Sequence, residues 1–173
     1  MSWGVKVSGT IDLTALRGDI GKKAMRQIGE AAKTAILVET QDKGIDQDGR
    51  AFRPYSEEYI VARYEAGYNT RPDLTVTGDM LNAVVVVSAT ENSVTIGFND
   101  SQKAGSRSKL NKGKKPKYKL LPSEKMQRTQ KLRPWFGFGR DNNNRRKQIQ
   151  KRGSRIYIEA LTKRVAGRNK GRV

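Results

Sequence analysis

Apolar residues recur along this chain with two periods, alternation and steps of three and four, and once as a near-continuous run. Trp3, Val5 and Val7 alternate with Gly4, Lys6 and Ser8, which predicts a strand with one apolar face. Asp12 stands where a helix cap belongs. From residue 13 to about residue 40 the apolar positions are Leu13, Leu16, Ile20, Ala24, Ile28, Ala31, Ala35 and Val38. Steps of three and four over that length predict a long amphipathic helix, broken at Gly44. Val84 to Ala89 is almost entirely β-branched, and Val94, Ile96 and Phe98 alternate with Thr95 and Gly97. With Glu91-Asn92 as the turn, these two runs predict a β-hairpin with an apolar inner face. A last helix is expected from Asp141 to about Val165, on Ile149, Ile156, Ala160 and Val165, its stripe widened by Tyr157, Ile158 and Leu161.

Shorter elements fill the middle. Asp46-Gln47-Asp48-Gly49-Arg50 is a turn cluster. Read as a calcium loop, with Asp46 and Asp48 as alternate ligands, it places Tyr55 where the closing Glu belongs, so the turn is structural. Ser56, followed by Glu57 and Glu58, heads a short helix to about Ala66, ended by Gly67. Thr77-Gly78-Asp79-Met80-Leu81-Asn82 reads as a turn and one helical turn. The element order predicts a single α+β domain over residues 1–173. Its antiparallel sheet, from residues near 3–8, 84–90 and 93–99, carries a long N-terminal helix and a C-terminal helix. The N-terminal helix is expected to pack through Leu16, Ile20 and Ile28.

Charge changes this picture. Residues 1–100 carry 11 Lys and Arg against 14 Asp and Glu, a net of −3, whereas residues 101–173 carry 24 against 3, a net of +21. Net charge governs association rather than topology, so the basic half is expected to meet an anionic partner. Residues 101–132 read as a basic loop, a long excursion either mobile or ordered by a partner, and 166–173 as a basic tail. Within the loop Arg107, Lys109, Lys112, Lys114, Lys115, Lys117 and Lys119 are candidates to face a partner protein or DNA, with Tyr118 the one interleaved aromatic. The segment has neither recognition-helix periodicity nor a stacking platform of several aromatics. Arg133-Pro134-Trp135-Phe136-Gly137-Phe138-Gly139 follows. Trp135, Phe136 and Phe138 either fill space between the last helix and the sheet or anchor a neighbouring molecule. Adjacent residues of an extended chain point to opposite faces, which would send Trp135 and Phe136 apart.

Composition narrows the chemistry. The 173 residues include no Cys and no His, which removes disulfides, thiolate metal sites and Ser-His-Asp machinery. The carboxylate pairs Glu57/Glu58 and Asp46/Asp48 are adjacent or in turns, without the apolar surroundings that would tune their pKa values. Gly137-Phe138-Gly139 lacks the Lys-Ser/Thr and further glycine of a phosphate loop. The expectation is a protein that is not an enzyme, with no catalytic residues, cofactor or metal. No apolar run approaches the roughly 18 residues of a membrane span, and the first residues lack the apolar stretch of a signal peptide. A soluble protein made in a cytoplasm is therefore expected. Apolar content is 35%, below the usual range of about 45–50%, so part of the stability is expected from a partner or from self-assembly.

Several short segments occur in a telling order: the Asp48-Gly49-Arg50 turn, Phe52-Arg53-Pro54-Tyr55-Ser56 and a Tyr-containing helix, Leu74-Thr75-Val76-Thr77-Gly78-Asp79-Met80-Leu81, the hairpin ending at Phe98, and Arg133-Pro134-Trp135-Phe136-Gly137-Phe138 before a closing helix. In that order they resemble the tail-completion (virion morphogenesis, neck or head–tail joining) proteins of tailed bacteriophages. The resemblance spans most of residues 3–165. It implies a non-enzymatic virion protein, assembled in the host cytoplasm, that forms a homo-oligomeric, typically hexameric, ring. Its implied partners are the connector or stopper on one side and the tail-tube or tail-terminator protein on the other, with DNA in the channel. A nucleic-acid-binding module built on residues 103–119 is the alternative reading.

Overall fold

The computed structural model describes residues 21–75, 78–101, 121–138 and 144–170, and, of the last stretch, the side chains of 145–163. Helix α1 (Gly21–Val38) is followed by a π-helical turn (Glu39–Lys43), helix α2 (Glu57–Glu65) and the single turn α3 (Asp79–Asn82). The hairpin β1 (Val84–Ala89) and β2 (Val94–Phe98) comes next, then α4 (Pro122–Leu132) and α5 (Asn144–Lys170). The class is α+β, with a two-stranded antiparallel sheet among the described residues. The strand expected at residues 3–8, the start of the first helix with Leu16 and Ile20, and the Asp141 cap lie outside them.

Helix α1 is the central element. Its buried residues Ala24, Met25, Ile28, Gly29, Ala32, Ala35 and Ile36 follow the helical period and face both the hairpin and α5. The approach to the hairpin depends on Gly29. A Cβ there would overlap the Val94 Cγ2 atom and lie 3.1 Å from Val86 Cγ2. At Gly153 of α5, where the second face of α1 is met, a Cβ would lie 3.6 Å from Ile28 Cγ2, an ordinary contact. The helix ends where expected. Gly44 takes the left-handed conformation (φ 62°), donates its N–H to the Glu39 carbonyl, and leaves 2.8 Å between a would-be Cβ and the Pro72 carbonyl.

The hairpin pairs Val84 with Phe98, Val85 with Gly97 and Val86 with Ile96. An irregularity between Val86 and Ser88 shifts the register, leaving Ser88 opposite Thr95 and Val87 59% exposed. Glu91 and Asn92 form the turn, closed by a 2.8 Å bond from the Thr90 N–H to the Ser93 carbonyl. One continuous core joins Ile36 of α1, Phe52, Leu81 of α3, Val84 and Ile96 of the hairpin, Met126 of α4, Trp135 and Phe136, and Ile149 of α5.

Two elements differ from the sequence expectation. Residues 122–132 are helix α4 rather than part of a loop. Pro122 occupies the first turn, the Glu124 carboxylate accepts the Leu121 N–H (2.8 Å), and Ser123 donates from its N–H and hydroxyl to the Asp100 carboxylate (3.0 and 2.6 Å). Met126 then enters the core at 2% exposure. Among its described side chains, helix α5 buries a single stripe at four-residue steps: Arg145, Ile149, Gly153 and Tyr157. Ile158 falls off that stripe and is 60% exposed.

Candidate binding pocket and its arginine anchors

After Phe52 enters the core, Pro54 and Ser56 start α2, with Glu57 and Glu58 favourably placed at the positive end of its dipole. Arg63 is the only residue α2 buries. The spacing explains how it is held, because Tyr55, Tyr59 and Arg63 recur at four-residue steps and so share a side of this segment. The Arg63 guanidinium carbon lies 5.0 Å from the Tyr55 ring centroid, 5.9 Å from that of Tyr59 and 5.8 Å from that of Tyr68. Its nitrogens reach across the following loop. Nε donates to the Asn69 carbonyl, and Nη2 donates to Asp73 Oδ1 (3.1 Å) and the Thr75 carbonyl (3.0 Å). Nη1 is buried without a hydrogen bond among the described residues. Asp73 also accepts the Thr75 N–H (2.9 Å), which fixes the turn that leads into Leu74, itself held at φ 57°.

A second arginine covers the same tyrosine. Arg133 lies 4.8 Å from the Tyr55 centroid and donates to the carbonyls of Arg53 and Pro54. Tyr55 and Tyr59 meet edge to face at 4.9 Å. Burial pushes the Tyr55 hydroxyl above the ordinary tyrosine value of 10.0, against the opposing pull of the Arg63 charge.

These groups wall a cavity of about 560 Å³. Tyr55, Ser56 and Tyr59 form one side, Leu74, Gly78, Asp79 and Met80 the second, and Lys125, Arg128, Thr129 and Arg133 the third. Gly78 turns the chain into α3 at φ 78°, which sets Met80 against α4, where Thr129 Oγ1 points at its sulfur (3.6 Å). Lys125, Arg128 and Thr129 stand three and four positions apart and so present one face of α4. Neither the Lys125 nor the Arg128 side chain has an ion pair or hydrogen bond among the described residues.

The aromatic segment is built otherwise. Trp135 (0% exposed) and Phe136 (3%) both enter the core of this chain, and Phe138 packs against it half-buried. The expected divergence of Trp135 and Phe136 does not occur. Gln130 of α4 bends the backbone by accepting the N–H groups of both residues at one oxygen (3.1 and 3.0 Å) and donating to the Phe136 carbonyl (3.1 Å). The rings of Trp135 and Phe136 lie 5.4 Å apart, and Phe98 meets them at 6.1 and 4.8 Å. Arg145 of α5 locks the arrangement from below. It pairs with the buried Glu39 of the π-helical turn and donates to the carbonyls of Trp135 (2.7 Å), Gly137 (3.1 Å) and Asp46 (3.2 Å). Asp46 in turn accepts the N–H groups of Asp48 and Arg50 at 2.8 Å each, which accounts for its carboxylate as part of the turn.

The seven basic candidates Arg107, Lys109, Lys112, Lys114, Lys115, Lys117 and Lys119 lie outside the described residues. The sequence reading missed Arg63, Arg145, Glu39 and the pocket. Two signals were available: the four-step series Tyr55, Tyr59, Arg63, and the position of Arg145 one step before Ile149 on the α5 stripe. No described helix is long and apolar enough to cross a membrane. No protein-family model, no curated protein and no solved structure matches this chain.

Proposed function

We propose that this chain is a structural subunit of a tailed-phage virion, a ring-forming tail-completion or neck protein that joins the tail tube to the head connector and performs no catalysis. One observation carries the reading. The short segments whose order resembles that family converge on a single packed unit. Phe52, Met80, Leu81, Trp135 and Phe136 share the core. The 46–50 turn is tied to the Arg133–Phe138 stretch through the Gln47 N–H and the Pro134 carbonyl (2.7 Å), and both meet Arg145. Residues scattered over most of the chain thus serve one architecture, as expected for a signature of shape rather than of a reaction. The net charge of the basic half of the chain suits acidic neighbours or DNA in the channel.

The second reading, a nucleic-acid-binding module acting through residues 103–119, is favoured by charge alone. Sedimentation of the purified protein, paired with DNA binding over a salt series, separates the two. The ring reading expects a discrete oligomer and weak DNA binding at about 0.15 M salt. A monomer with tight, length-dependent DNA binding at that ionic strength would overturn it.

A further inference from the structure

We propose that the cavity between α2, Leu74 with residues 78–80, and α4 is a docking pocket for an acidic peptide segment of a partner protein, one that inserts an apolar side chain between flanking carboxylates. Its volume of about 560 Å³ lies in the range that buries such groups. Its wall of Tyr55, Tyr59, Leu74 and Met80 is largely apolar. The Arg63 anchor behind the tyrosines builds that wall in advance, so little ordering is left for the binding step. The α4 side is cationic: among the described residues Lys125 and Arg128 have no carboxylate partner and Arg133 meets only carbonyls and the Tyr55 ring, and Asp79 is the one acid lining the cavity. Carboxylates of a partner would complete charge-assisted hydrogen bonds in a partly enclosed site.

A nucleic acid fits less well. Base stacking needs open ring faces, and Tyr55 already has two guanidinium groups within 5.0 and 4.8 Å and the edge of Tyr59 against it. The inference names the partner chemistry for the assembly role proposed above and rests on that role only for which protein supplies the peptide.

The test uses the full-length protein and an immobilised array of acidic peptides, each with two central positions run through all residue types between flanking Asp-Glu pairs. Saturable binding is expected for apolar centres and not for Gly or Ser centres. The best peptide, followed by fluorescence anisotropy, is expected to lose about tenfold or more in affinity to the Lys125→Glu/Arg128→Glu protein. It should lose about twofold or less to Lys151→Glu/Arg152→Glu, an equal charge change on the exposed face of α5. If the pocket double variant fails to fold, Arg128→Gln alone is read, with a smaller loss expected in the same direction. Binding indifferent to the central residues, equal losses in both double variants, or no binding to any array member would overturn the proposal. So would a short oligothymidylate whose binding, unlike that of the peptide, depends on Lys125 and Arg128. Peptide binding by a protein that never forms rings would sink the ring assignment alone; rings without peptide binding would sink this inference alone.

Discussion

Two of the described arginines are removed from solvent, and they are compensated in opposite ways. Arg145 (1% exposed) meets a carboxylate that is itself buried, Glu39 at 2%, and three backbone carbonyls from segments far apart in sequence. Arg63 (0%) meets a less enclosed carboxylate, Asp73 at 7%, and two carbonyls of a loop close by in sequence. The faces of three tyrosines supply the rest, and Nη1 has no hydrogen bond among the described residues. The first arrangement joins α5, the π-helical turn, the 46–50 turn and the aromatic segment, so it belongs to the global fold. The second closes one loop onto one short helix that makes no extensive contact with the other helices or the hairpin. It shapes a wall of the pocket, and its failure should stay local.

Replacing Arg145 with Met should have the largest effect, because it strands the Glu39 carboxylate in the core. Removing one partner of a buried pair costs about 3–5 kcal/mol, a large share of the roughly 5–15 kcal/mol that holds a domain together. A large drop in the urea midpoint is expected, and a loss of unfolding free energy below about 1 kcal/mol would remove Arg145 from the global fold. Ile28→Asp should match it, since Ile28 (1% exposed) has no polar partner to receive the charge. A folded Ile28→Asp protein would show that the register of α1 is wrong.

Arg63→Met should cost less, about 1–3 kcal/mol, and the loss should be confined. Hydrogen exchange is expected to quicken across residues 57–75 while the amides of α1 keep their protection. Equal loss of protection in both regions would erase the distinction between the two arginines.

A pair of glycines tests the packing around α1. Gly29→Ala should destabilise by about 1–3 kcal/mol by forcing α1 off the hairpin. Gly153→Ala, with ordinary space at its site, should stabilise by up to about 1 kcal/mol through helix propensity. Thermal melts showing the same sign for both would contradict the placement of α1 between the hairpin and α5.

The smallest effect concerns Tyr55. Burial raises its folded-state pKa above 10.0, so the folded chain holds that proton more tightly than the unfolded chain does. This contribution is fully present below pH 10 and is lost as pH rises from there toward the folded-state value. Tyr55→Phe should flatten the fall in stability above pH 10; an unchanged slope would mean the hydroxyl is solvated.

What the sequence revealed followed the strength of each local pattern. Helix α1 was legible from its apolar period and its glycine stop, and the hairpin from its β-branched runs around Glu91-Asn92. Helix α4 was hidden because Lys, Arg and Gln dominate it and only Pro122 and Met126 go deep; its signal, Pro122 with Glu124 two positions on, is short and sits at the edge of a basic run. The placement of Trp135 and Phe136 was ambiguous because it turns on Gln130, whose role depends on a backbone bend that no period encodes. The pocket was invisible for a related reason. Its three sides come from segments separated by many residues, and only Tyr55, Tyr59 and Arg63 leave a pattern along the chain.

Negative-stain imaging of the purified protein at about 0.15 M salt tests the central proposal most directly. Closed rings of uniform diameter, with a central opening and a fixed number of subunits, are the expected result. A field of separate monomers at every protein concentration, with rings neither forming alone nor on addition of a phage connector, would contradict it.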